Sequence, residues 1–184
     1  MEKLTTSLFK LTHKFHRKDN IVDFISALSS ARSMLIFMPD KLEHFAIARK
    51  FLNQIKIDFP QAKIVIYTRE SYQHLLETRY NDGIIFVAPH DINPFGFPKR
   101  KLQHKIMAID FDVIIDLNQD FNLSSTFLCQ KSNAALKICL DNQNREPFYN
   151  FCFRTSVQTG LEDKYRKLIN FLGRCIHPPK TVKS

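Results

Sequence analysis

Apolar residues along the chain follow two alternating spacings, and this alternation predicts the fold. Short runs that are apolar nearly throughout occur at residues 33–39, 63–68, 83–89, 111–117 and 135–141, with a shorter run at 149–153. Such runs are typical of strands that are buried on both faces of a parallel sheet. Between them, apolar residues recur at every third or fourth position, as on the inner face of an amphipathic helix.

The helical spacing predicts helices at residues 21–31, 41–59, 70–80, 101–109, 121–132 and 161–175. In the second of these, one stripe contains Phe45, Ala48, Phe51, Leu52 and Ile55, and Pro60 ends the helix. Strands that alternate with helices favour right-handed crossovers between parallel strands. The sequence therefore predicts an α/β fold, with a single doubly wound, mainly parallel, Rossmann-like sheet and helices on both of its faces.

The two ends of the chain depart from this pattern. Near the N-terminus, Leu4, Leu8, Leu11 and Phe15 share one helical face, and lysines and arginines occupy the others. Such a segment either docks on the domain or lies on an anionic membrane surface, and both interpretations stay open. The predicted division is a basic amphipathic segment at 1–19, a Rossmann-like domain at 20–176 and a basic tail at 177–184.

Composition excludes several classes of site. With only four glycines the chain has no G-x-G-x-x-G or Walker-type loop, so a dinucleotide fingerprint or P-loop is not expected. The cysteines show no C-x-x-C spacing and sit among apolar residues, as small buried side chains do in a reducing compartment. They are Cys129, Cys139, Cys152 and Cys175. His74, His90 and His104 are scattered at no metal-ligand spacing, and we therefore expect neither a metal nor a cofactor.

The formal net charge of +9 favours polyanionic neighbours such as nucleic acid, anionic lipid or phosphorylated sugar, although a solvated basic surface explains it equally well. A second basic cluster, PKRKLQHK, begins at Pro98 and has the same two interpretations. No apolar run approaches the roughly 20 residues of a membrane span, and no signal peptide is recognisable. We expect a cytoplasmic location, with peripheral contact at the inner membrane surface through residues 1–18 as an open alternative.

Four stretches carry a family resemblance through their order and spacing. The first, at 35–77, contains a strand, a turn, a long helix that ends in a Phe-Pro turn, a second strand and a second helix. The second is the strand GIIFVAP at 83–89, and the third is the strand FDVIIDL with the helix and strand that follow it, at 111–141. The fourth is the helix LEDKYRKLINFLGRC at 161–175. Together these stretches resemble the N-terminal, acceptor-side lobe of glycosyltransferase family 9. That family comprises the lipopolysaccharide heptosyltransferases and their relatives, which have the two-lobed GT-B fold. The resemblance covers about residues 33–175.

The resemblance implies a catalytic position with altered residues. In the family, the first strand-to-helix turn carries a Gly-Asp pair whose Asp serves as general base for the acceptor hydroxyl. Counting back from the Phe-Pro turn places this pair on Glu43 and His44. His44 would be the base and Glu43 its orienting partner, with Asp40 as the alternative and Lys41 as a phosphate contact. The competing interpretation is that Asp40 and Glu43 only stabilise the first turn of the helix.

A second group of candidates follows the fourth predicted strand, at the carboxyl edge where ligands bind in such sheets. The family resemblance places this region in the acceptor cleft. The expected substrate-binding residues are Lys41, Asp116, Asp120, Ser124 and Ser125. Helix capping and turn chemistry are the alternative explanation for the same residue types.

In the resembling family the nucleotide-sugar donor is bound mostly by the second lobe, and this chain stops where that lobe would begin. We therefore expect a heptosyltransferase-like single-lobe protein without independent catalysis. It would bind a sugar, a glycolipid or a partner chain that supplies the donor-binding lobe, in cell-envelope polysaccharide synthesis. Two alternatives stay open: an active transferase half completed by a second chain, and a basic α/β module that binds a membrane surface or, less expectedly, nucleic acid.

Overall fold

The computed structural model describes residues 22–76 and 83–177, and within them six strands form one sheet. The strands are β1 (Ser33–Phe37), β2 (Lys63–Arg69), β3 (Ile84–Val87), β4 (Val113–Asp116), β5 (Leu136–Leu140) and β6 (Phe151–Phe153). Their order across the sheet is β3-β2-β1-β4-β5-β6, and every neighbouring pair is parallel. The predicted α/β, Rossmann-like fold is confirmed.

Helices cover both faces of this sheet. Those described are α1 (Phe24–Ser29), α2 (Leu42–Ala48), α3 (Leu52–Asp58), α4 (Arg100–Met107), α5 (Leu123–Lys131) and α6 (Leu161–Ile176). Helices α1, α2, α3 and α6 pack on one face, and α4 and α5 pack on the other. Both faces of each central strand are therefore buried, which is why these strands are apolar throughout instead of alternating with polar residues.

Strand β1 shows how one run serves two cores. Met34 and Ile36 point into the first core with α2, α3 and α6, and Leu35 and Phe37 point into the second with α4 and α5. All four side chains are fully buried. Successive side chains of a strand point to opposite faces, so a run without polar residues is the sequence signature of this central position.

Two predicted helices differ from the structure. The long helix at 41–59 is divided by a 3₁₀ turn at Arg49–Phe51 into α2 and α3. The helix predicted at 70–80 is a 3₁₀ helix over Glu70–Leu75, and its remaining residues lie outside the described chain after Leu76. Tyr72 and Leu75 are three residues apart, a spacing that puts both on one side of a 3₁₀ helix as well as of an α-helix. The apolar pattern alone could not distinguish the two.

The topology fixes where a ligand site can form. From β1 the chain moves outward to β2 and β3, then returns to β4 beside β1 and continues to β5 and β6. In such sheets the connections diverge at the point where the order reverses, leaving a crevice at the carboxyl ends of the strands. Here that point lies between β1 and β4. The predicted N-terminal segment at 1–19 and nearly all of the tail at 177–184 lie outside the described residues.

Candidate functional site

A cavity of about 300 Å³ opens at the carboxyl ends of β1, β2 and β3 and at the start of α5. Its apolar walls come mainly from the end of β3 and the following loop. These residues are Val87, Ala88, Pro89, Ile92 and Leu123, with Gly96 beside them. Its polar residues come from the ends of β1 and β2 and the start of α5. They are Asp40, Tyr67, Arg69, Ser71, Asn122 and Ser124. An apolar surface with a few converging polar groups is the usual composition of a small-molecule site.

Asp40, a polar residue of the cavity wall, has hydrogen bonds to both its side chain and its backbone. Its Oδ2 atom accepts hydrogen bonds from Nη2 of Arg69 at 3.1 Å and from Nδ2 of Asn122 at 2.7 Å. Its backbone carbonyl accepts from the Tyr72 hydroxyl at 2.6 Å, and its backbone N–H donates to Oδ1 of Asn118 at 3.2 Å. Arg69 at the end of β2 and Asn122 at the N-cap of α5 thus hold the carboxylate, and Tyr72 and Asn118 hold the Asp40 backbone. The hydrogen bond from Arg69 to Asp40 also raises the pKa of the Arg69 guanidinium.

Two hydroxyl groups meet on another part of the cavity wall. The Tyr67 hydroxyl lies 2.8 Å from Oγ of Ser124, and either atom can donate. Burial of the phenol raises the pKa of Tyr67 far above its usual value, so this hydroxyl stays protonated at physiological pH. The pair can therefore offer both a donor and an acceptor to a neutral ligand.

Glu43 and His44 occupy the first turn of α2, which begins after Lys41. Neither is among the described residues that line the cavity. Of the three catalytic candidates, the structure brings only Asp40 to the cavity wall, because the chain turns into α2 immediately after it.

Lys41 and Asp120, two of the predicted substrate contacts, lie close together. Nζ of Lys41 is 2.8 Å from Oδ2 of Asp120, and both side chains are more than half exposed. This hydrogen bond and the charge of Asp120 raise the pKa of Lys41. Ser124, a third predicted contact, lines the cavity.

Asp116 has a different environment from the one expected of a substrate contact. Its side chain is completely buried. Its Oδ2 atom accepts from Oγ of Ser125 at 2.7 Å and from the Tyr149 hydroxyl at 2.5 Å, and Oδ1 accepts from the backbone and side chain of Asn118 at 2.9 and 2.8 Å. A substrate could reach Asp116 or Ser125 only if this network opened.

Arg145 supplies the charge that balances Asp116. Its Nη2 atom lies 2.8 Å from Oδ2 of Asp116, and both side chains have no exposed surface. The same guanidinium donates to the backbone carbonyl of Asn118 and lies 4.8 Å above the Tyr149 ring. Burial alone would lower the pKa of Arg145, but Asp116, Tyr149 and Cys139 together outweigh this effect and raise it, with Asp116 contributing the most. The Arg145 guanidinium therefore stays charged within the protein interior.

Sequence reasoning missed Arg69, Asn122, Arg145 and Tyr149. Arg69 ends β2, and Asn122 caps α5 by accepting from the Ser125 backbone N–H, so the carboxyl-edge rule could have found both. Arg145 and Tyr149 come from the polar loop between β5 and β6. No local pattern marks them, since their partner is Asp116, 29 and 33 residues earlier.

The described residues include no group of three or more His, Cys, Asp or Glu side chains placed to hold a metal ion. In the same part of the chain, no helix has both the length and the apolar character needed to cross a membrane.

The fold is similar to that of solved glycosyltransferases. One is a glycosyl transferase family 9 protein from Veillonella parvula, with a TM-score of 0.60 and 19% sequence identity over 77% of this chain and 41% of that chain. Another is E. coli heptosyltransferase WaaC, solved with ADP-2-deoxy-2-fluoro heptose, with a TM-score of 0.52 and 19% identity over 76% of this chain and 47% of that chain. WaaC solved with ADP gives the same TM-score. The chain thus spans less than half the length of these structures, and its fold is that of one glycosyltransferase family 9-like lobe.

At the level of sequence, a family model matches residues 7–173. The chain belongs to this family, which is described as a family of unknown function, DUF6913. The search with this chain found no matching curated protein sequence.

Proposed function

We propose that the cavity at the carboxyl ends of β1–β3 binds a sugar ring, in the manner of an acceptor-binding lobe. The observation that carries this proposal is the combination of a cavity of about 300 Å³, an apolar wall and converging hydroxyl, amide and carboxylate groups. A sugar ring presents C–H surface on its faces and hydroxyl groups around its edge. The apolar wall matches the first feature, and the polar groups match the second.

The electrostatics of the wall favour a neutral ligand. Among the described residues that line the cavity, only Asp40 and Arg69 are charged, and they form an ion pair with each other. Because their charges offset one another, the wall presents no excess positive charge to a phosphate. A hydroxyl-rich group can instead bond to the remaining acceptor capacity of Asp40, to Asn122 and to the Tyr67–Ser124 pair.

We further propose that the sugar belongs to a cell-envelope glycolipid and that a donor-binding lobe on a partner chain completes the system. The likeness of this fold to heptose-transferring proteins supports the first part. The second part is supported by the fold, which is that of one glycosyltransferase family 9-like lobe.

Amide chemical-shift mapping of the whole chain tests the sugar proposal. Free hexoses, free heptoses, their phosphates and ADP-heptose would each be added up to millimolar concentration. Saturable shifts at Ala88, Gly96 and Ser124 with a neutral sugar are the expected result. Asp40→Asn should weaken binding about tenfold, roughly the value of one charge-assisted hydrogen bond.

Asp120→Asn is the control, because Asp120 is a nearby carboxylate, more exposed than Asp40, that is not among the described residues lining the cavity. It should leave binding unchanged. Shifts centred on Glu43 and His44, or equal losses in the two variants, would contradict the proposal. So would the absence of any saturable shift with all four classes of probe.

Glycosyl transfer is a second candidate function, and the position of Asp40 favours it. A carboxylate fixed at the wall of a sugar-binding cavity is placed to accept the proton of a bound hydroxyl. Incubating the chain with ADP-heptose and a sugar that binds the cavity should then yield a glycoside, and Asp40→Asn should abolish its formation. If product formation is lost in a His44 variant and kept in Asp40→Asn, the general base is His44 in α2 and not Asp40.

A further inference from the structure

Two cysteines that are separated by 12 residues face each other on the two strands at one edge of the sheet. Cys139 of β5 and Cys152 of β6 are direct partners in the parallel register. Their Sγ atoms lie 3.5 Å apart. Both side chains belong to the second core, on the α4 and α5 face. The cysteine spacing in the sequence gives no sign of this arrangement.

The strand register places the two backbones within reach of a disulfide. Hydrogen-bonded strands lie about 4.8 Å apart, and disulfides join residues whose Cα atoms are about 4.4–6.8 Å apart. Since the two residues are directly in register and their side chains leave the sheet on the same face, small rotations about χ1 would bring the sulfurs within bonding distance. No movement of a strand is needed.

The two thiols differ in accessibility, and this difference assigns their order of reaction. Cys139 is fully buried, and Cys152 is half-buried on the outermost strand. The thiol of Cys139 hydrogen-bonds to Cys152 and lowers the pKa of Cys152, although burial opposes this effect. The thiolate is the reactive form of a cysteine. An external reagent should therefore meet Cys152 first.

We propose that Cys139 and Cys152 are a redox-modification site that forms a reversible disulfide with small-molecule disulfides as the oxidant. In the first step the Cys152 thiolate attacks one sulfur of the oxidant, which forms a mixed disulfide and releases one small thiolate. In the second step Cys139 loses its proton and attacks Sγ of Cys152, which releases the second small thiolate. The two protein thiols are oxidised, and one oxidant disulfide is reduced to two thiols.

The remaining cysteines do not share this geometry. Cys175 packs against the first core, on the opposite face of the sheet. Cys129 lies in the second core, but it is fully buried in α5, and burial raises its pKa to about 12. Cys175 is partly exposed and so serves as the matched single-thiol control.

The disulfide would also close a loop whose residues hold the buried Asp116 carboxylate. Residues 140–151 connect the two cysteines, and this segment carries Arg145 and Tyr149. Both residues hold Asp116. Oxidation would thus tether the loop that supplies the partners of the buried carboxylate.

The test is to incubate the whole folded chain with oxidised glutathione, block free thiols by alkylation and map the peptides by mass spectrometry. The expected product is a cross-linked pair of peptides that contain Cys139 and Cys152, and dithiothreitol should restore both thiols. Cys175→Ser should leave this product unchanged. Cys152→Ser should abolish it, and as a near-isosteric change at a half-buried position it should keep the circular dichroism of the wild type.

Three results would overturn the proposal. One is a stable glutathione adduct on Cys152 with Cys139 still free. Another is alkylation of both thiols after oxidation while the fold is intact. The third is a cross-link that forms only in denaturant, since that would show pairing in the unfolded chain instead of on the two strands.

Discussion

Two aspartates at the carboxyl ends of neighbouring strands are each paired with an arginine, but one pair is buried and the other is exposed. Asp116 ends β4 and has no exposed side-chain surface, and neither has its partner Arg145. Asp40 follows the adjacent strand β1, and its side chain is 42% exposed beside an Arg69 that is 52% exposed. The two ion pairs differ by only 0.3 Å in the distance between their closest atoms, 2.8 against 3.1 Å.

The comparison shows that burial, and not the pairing itself, separates a charge that only the protein contacts from one that a ligand can reach. Every contact of the Asp116 carboxylate is with the protein itself, and removing one partner would leave a charge in the interior without compensation. Asp40 is held in place but stays open to the cavity, so a ligand can still reach it. We therefore expect substitutions at Asp116 and Arg145 to affect folding, and substitutions at Asp40 and Arg69 to affect binding.

The largest expected effect follows from removing Arg145. Arg145→Ala should lower the free energy of unfolding by about 3–5 kcal/mol, because it leaves the Asp116 carboxylate buried without its cation. Arg69→Ala, the matched change in the exposed pair, should cost less than about 1 kcal/mol. Urea denaturation followed by circular dichroism measures both. Equal losses in the two variants would remove the distinction drawn between the pairs.

A second effect of burial should appear at alkaline pH. Burial, reinforced by the Asp116 charge, raises the pKa of Tyr149 well above 10 in the folded protein. Below pH 10 the phenol is neutral in both the folded and the unfolded chain, so it adds no pH dependence. Above pH 10 only the unfolded chain releases this proton, and stability should fall by roughly 1.4 kcal/mol per pH unit until the folded pKa is reached.

Tyr149→Phe isolates this contribution. The slope of unfolding free energy against pH above pH 10 should become shallower by that amount, although the variant is less stable at neutral pH through the lost hydrogen bond to Asp116. Urea midpoints at a series of pH values provide the slope. An unchanged slope would mean that Tyr149 ionises freely in the folded protein.

A smaller effect is expected at the cavity. Tyr67→Phe removes the hydrogen bond with Ser124 but keeps the ring that packs edge-on against Phe37 at 5.0 Å. The free energy of unfolding should fall by about 0.5–1.5 kcal/mol, and binding of a cavity sugar should weaken about tenfold. Calorimetric titration and urea denaturation of the same samples separate the two. Unchanged binding would place the sugar away from this hydroxyl pair.

The smallest effect is expected at the exposed pair of Lys41 and Asp120. Lys41→Ala should leave thermal stability unchanged, since both side chains are largely solvated and their attraction is screened by salt. A clear fall in the melting temperature would show that this ion pair stabilises the fold more than its exposure predicts.

Much of this fold was predictable because its pattern is local. The uninterrupted apolar run of β1 and the helical stripe through Phe45, Ala48, Leu52 and Ile55 follow from geometric repeats of neighbouring residues. The site was only partly predictable. Asp40 and Ser124 were among the candidates and line the cavity, while Glu43 and His44 lie in the first turn of α2, outside the described lining of the cavity, and their catalytic role stays a prediction.

The sequence by itself determined the layered α/β architecture, since apolar repeats of two kinds specify strands and helices, and alternating them specifies a covered parallel sheet. Only the tertiary structure decided which polar residues meet. Asp40 reaches Asn122 across 82 residues, Asp116 reaches Arg145 across 29, and Cys139 faces Cys152 through strand register. These contacts depend on strand order and on distances between elements. A local pattern carries no information about either, and so it could not show which aspartate is sealed in the interior and which is open to a ligand.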